Sequence, residues 1–74
     1  MTLSQLSRAY NLRRDLDAAE GRMTTTGFRL AELMSKRCPN EAARLRAIDR
    51  CQDDLRDIFI EIKAIKAKLE AVTA

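Results

Sequence analysis

A chain of 74 residues, 46% hydrophobic and 34% charged, makes one small domain at most, because typical domains run to about 100–150 residues. Two Gly, one Pro, two Phe, one Tyr and no Trp leave too little turn-forming and β-forming material for a strand-rich fold, and 14 periodically spaced Leu and Ile argue against disorder. The net charge of +3, carried mainly by residues 1–37, is too weak to imply nucleic acid alone.

The opening Met1-Thr2-Leu3-Ser4-Gln5 has neither a charged leader nor an apolar stretch, so no signal peptide is expected. A first helical arm is expected over about residues 3–37. Its apolar seam runs through Leu12, Leu16, Ala19, Met23, Thr26, Leu30 and Leu33. The weak stretch is Gly21-Arg22-Met23-Thr24-Thr25-Thr26-Gly27, where two glycines and three threonines cost about 2–3 kcal/mol of helix propensity. A continuous helix with a soft or kinked centre is expected, with a true break capped by Thr26 as the fallback.

Lys36-Arg37-Cys38-Pro39-Asn40 is the clearest breakpoint, with the turn at about 38–40. Proline is excluded from helix interiors but fits a first turn, Lys-Arg suits the end of the preceding helix, and Glu41 suits the start of the next. The second arm, about 40–73, carries the strongest pattern. Ile48, Leu55, Ile62 and Leu69 share one heptad position, and Cys51, Ile58, Ile65 and Val72 share the other. Two arms of matched length around a short turn predict an all-α fold: an antiparallel two-helix hairpin, a helical coiled coil forming one domain over 1–74. Folding back at Cys38-Pro39 sets Met23 near Leu55, Ala19 near Ile58, Leu16 near Ile62 and Leu12 near Ile65.

One seam does not use all the apolar side chains. Leu6, Met34, Leu45 and Phe59 fall on its flank, and Phe28 and Ile60 fall on the outer faces. The surplus predicts burial against another chain, most economically a second copy in a two-fold four-helix bundle.

Chemistry is scarce. There is no His, and Cys38 and Cys51 match no zinc spacing. Cys51 lies on the seam as a small hydrophobe, and Cys38 reads as an inert turn residue despite the neighbouring cations. About 20 Å of helix would separate the two thiols, too far for a disulfide, and unpaired thiols suit the cytoplasm. Asp49, Asp53, Asp54 and Asp57 alternate with Arg46, Arg50 and Arg56 as a solvated face does. No catalytic, metal-binding or cofactor-binding residue is expected, and no enzyme. Ile58-Phe59-Ile60, the longest strongly apolar run, is far short of the roughly 20 residues of a bilayer span, so no membrane partner is expected.

Nucleic acid is the alternative partner. Arg8, Arg22, Arg29 and Lys36 recur at heptad spacing, but Asp15 interrupts them and eleven acids share the faces. The expected function is therefore a small protein–protein interaction module that binds and modulates or inhibits a larger protein, or serves as an assembly subunit. Tyr10, Phe28, Phe59 and Ile60 are the expected anchors, with Arg14, Arg22 and Arg29 steering toward an acidic surface. A small basic hairpin dimer that regulates by binding RNA or DNA is the competing reading.

Overall fold

The computed structural model describes residues 1–35 and 39–74; expectations for Lys36, Arg37 and Cys38 lie outside the described residues. Two helices account for nearly all of it, α1 (Leu3–Ser35) and α2 (Glu41–Thr73), each of 33 residues. They pack along their length as an antiparallel hairpin whose Cα atoms span 58 × 14 × 12 Å.

Helix α1 starts at a reciprocal cap that the sequence reading overlooked. The Thr2 N–H donates to Gln5 Oε1 at 2.8 Å, and the Gln5 N–H donates to Thr2 Oγ1 at 3.2 Å. Thr-x-x-Gln is a capping box, in which each side chain satisfies a backbone donor that the first turn leaves without a partner. The signal was present in the sequence.

The Gly- and Thr-rich centre does not break α1. Thr24 Oγ1 donates to the Glu20 carbonyl and Thr25 Oγ1 to the Gly21 carbonyl, each at 3.1 Å. These bonds to the preceding turn let threonine hydroxyls sit inside a helix without competing for its amides. The continuous helix is therefore the outcome, and the Thr26-capped break does not form.

Pro39 falls in the turn, immediately before Asn40, which is the N-cap of α2. The Asn40 backbone is extended, with φ −107° and ψ 92°, and its Oδ1 accepts the Ala43 N–H at 3.1 Å. A short side-chain amide can reach back to that donor, whereas proline offers no such oxygen.

The core is the predicted seam. Leu16, Ala19, Cys51, Ile58, Ile62 and Ile65 are buried, and Leu12 and Met23 pack against the cluster. Every other seam position named from the sequence is at least partly buried, Leu55 among them. Among the described residues no polar or charged side chain is buried, so the interior is held by apolar contact alone.

Candidate interaction surfaces

The heptad pattern of the seam gives the hairpin two broad faces that differ in apolar content. On one, Arg22 reaches across to Glu61, its guanidinium 2.8 Å from the carboxylate. Heptad spacing puts Arg8, Asp15 and Arg29 along the same flank of α1, and Asp54 and Lys68 along that of α2. This face is charged, and an open hollow lies on it between the helices, lined in part by Gly21, Arg22, Asp54, Asp57 and Glu61.

The opposite flank is richer in apolar side chains, which stand at its ends and centre with Arg13, Glu20 and Lys66 between them. Leu6 and Met34 on α1 and Leu45 and Phe59 on α2 lie there, 52%, 62%, 51% and 61% exposed. Leu3 and Tyr10 continue it toward the open end of the hairpin, 86% and 70% exposed. Among the described residues, six of the nine large apolar side chains left exposed thus gather on one side.

The residues singled out as anchors do not form one patch. Tyr10 and Phe59 belong to the apolar face. Phe28 lies on the outer edge of α1 and Ile60 on the outer edge of α2, 73% and 63% exposed. Phe28 and Arg29 line a shallow hollow with Thr25, Ala31, Glu32 and Ser35. Phe59 and Ile60 flank a second hollow with Ile62, Lys63 and Lys66. Arg14 is exposed on the outer edge of α1, two heptads from Phe28.

Arg22, expected as a steering cation, is paired with Glu61 across the seam. The two residues share the same heptad flank, and the long arginine side chain spans the offset between them. The pair is exposed enough that water screens most of its attraction.

At the turn, Arg44, one of the cations gathered at that end, makes a contact that the sequence does not show. Its Nη1 donates to the Leu33 carbonyl at 2.9 Å, and its Nε and Nη2 grip both Glu41 oxygens at 3.2 and 2.6 Å. One guanidinium therefore satisfies a carbonyl in the last turn of α1 and holds the first turn of α2. The hydrogen bonds from Arg44, with its positive charge, hold the Glu41 carboxyl below its ordinary value. This contact depends on how the chain reverses, so helix periodicity alone carried no signal for it.

The carboxylates of α2 are spread along a solvated surface. Asp53 stands 3.9 Å from Arg56, and both are mostly exposed. Among the described residues no three His, Cys, Asp or Glu side chains converge as metal ligands would. No helix there is long and apolar enough to cross a membrane. No protein-family model matches the chain, and neither does any curated protein or solved structure.

Proposed function

We propose that this hairpin is a non-enzymatic protein–protein interaction module. It assembles two-fold into a four-helix bundle and docks on a larger protein, whose behaviour it modulates. One observation carries the reading. Six side chains make up the buried core of a 58 Å hairpin, while nine large apolar side chains stay exposed, mostly along one flank. Scattered apolar residues are ordinary on protein surfaces, but a one-sided row is what a covered interface leaves behind when its partner is removed.

The charged flank supports protein over nucleic acid as the partner. Its central cation, Arg22, is matched by Glu61, and Asp15 and Asp54 alternate with the remaining basic groups. A phosphate-tracking surface gathers unmatched cations. Phe28 with Arg29, and Arg14 further along the same edge, remain accessible for the larger partner when the apolar flank is covered. The buried, unpaired Cys51 thiol suits a reducing cytoplasm.

The test is capture from nuclease-treated extract with the wild-type chain and with Phe28→Ala as bait. The reading expects a protein retained by the wild type, lost by Phe28→Ala and only modestly sensitive to salt. Recovery of RNA or DNA before nuclease treatment, falling steeply with salt and lost in an Arg14→Gln, Arg29→Gln variant, would overturn it.

A further inference from the structure

We propose that the apolar flank is the self-association surface, and that the second copy lies on it antiparallel, with the two turns at opposite ends and Phe59 on the two-fold axis. This rests on the two-fold assembly proposed above and assigns its face, orientation and centre.

The area is sufficient. A face of 58 by 14 Å is about 800 Å² per partner, the size of a standard stable interface. The flank also agrees with the rule that helices in bundles carry apolar residues beside the seam on one side only. Here the opposite side is closed by the Arg22–Glu61 pair.

Charge selects the orientation. The turn between Ser35 and Glu41, with Arg44 donating to the Leu33 carbonyl, sets five levels along this flank, one heptad, or about 10 Å, apart. From the turn they are Met34 with Leu45, Gly27 with Gln52, Glu20 with Phe59, Arg13 with Lys66, and Leu6 with Thr73. Phe59 is on the middle level. A two-fold axis along the hairpin would stack each level on itself, bringing two Arg13 and two Lys66 together and setting Phe59 against Glu20. A two-fold axis across the hairpin exchanges the ends. Leu6 then meets the partner's Met34, the Arg13–Lys66 level meets the neutral Gly27–Gln52 level, and Phe59 meets its own counterpart. The remaining cost is Glu20 beside its counterpart at the axis, one like-charged pair instead of four clustered cations. Gly27 contributes room, since a methyl group added there would meet nothing within 4 Å.

Cysteine cross-linking in a Cys38→Ser, Cys51→Ala background tests this, with each variant first sized by sedimentation. Phe59→Cys is expected to link to its own copy under mild oxidation about ten-fold or more faster than Leu45→Cys, by effective concentration. In this arrangement two copies of position 45 are about 42 Å apart. Should loss of the phenyl ring weaken Phe59→Cys, a mixture of Leu6→Cys and Met34→Cys keeps Phe59 and is expected to link as a heteropair. Glu20→Gln is expected to tighten the dimer several-fold. Rapid self-linking of Leu45→Cys would show the parallel arrangement and overturn the proposal. A dimer in which neither Phe59→Cys nor the mixed pair links would place the contact on another face, which also overturns it. A wild-type monomer would instead remove the two-fold assembly on which the proposal stands.

Discussion

Arg44 joins the two helices through one side chain, donating to the last turn of α1 while gripping Glu41 in the first turn of α2. Replacing it with alanine leaves the half-buried Leu33 carbonyl with one fewer donor, and is expected to cost about 1–2 kcal/mol by chemical denaturation. Arg44→Lys is expected to recover only part, because an ammonium lacks the planar fork. Acid acts on the same contact. Glu41 is held below its ordinary value, so its stabilising contribution is complete above that value and is lost as pH falls through the folded one. Wild-type stability should therefore decline as pH drops below the ordinary glutamate range, and Glu41→Gln should flatten that part of the profile. Gly21 makes the opposite kind of prediction. An added methyl there meets nothing within 4 Å, so Gly21→Ala should stabilise the helix by about 0.5–1 kcal/mol, read as a raised melting temperature. A loss of stability would mean that the backbone at Gly21 departs from a regular helix.

At the scale of the element, the two helices were legible to different degrees. The seam of α2 is apolar at all eight positions, and a 3.5-residue apolar period admits little besides a helix packed along one stripe. Ile62→Ala at its buried centre is expected to cost about 2–5 kcal/mol in equilibrium unfolding, and a loss below about 1 kcal/mol would mean the seam is misplaced. The centre of α1 was ambiguous because glycine and threonine propensities oppose the helix that the seam favours. The helix forms because the packed seam outweighs those propensities, and Thr24 and Thr25 place their hydroxyls on carbonyls of the preceding turn. The caps divide similarly. Thr2-x-x-Gln5 was readable and overlooked, whereas the Arg44 tie depends on the path of the turn. Of the surfaces, the apolar flank was visible in the positions of Leu6, Met34, Leu45 and Phe59. That Phe28 and Ile60 lie on opposite edges follows from the register of both helices together, which neither arm specifies alone.

At the scale of the whole molecule, the account is one of incomplete burial. A chain this short shields only part of its apolar surface by folding alone, and the usual remedies are a cross-link, a metal or another chain. The proposed assembly is the last of these, and it rests on the six side chains buried among the described residues and the large apolar side chains left exposed along one flank. An assembly that completes its core on association must also melt at a temperature that rises with protein concentration. Sedimentation equilibrium of the wild-type chain at tens of micromolar decides whether the hairpin associates. The account predicts twice the chain mass of 8.4 kDa, with dissociation on dilution accompanied by loss of helix. A fully helical species of single-chain mass across that range would contradict it.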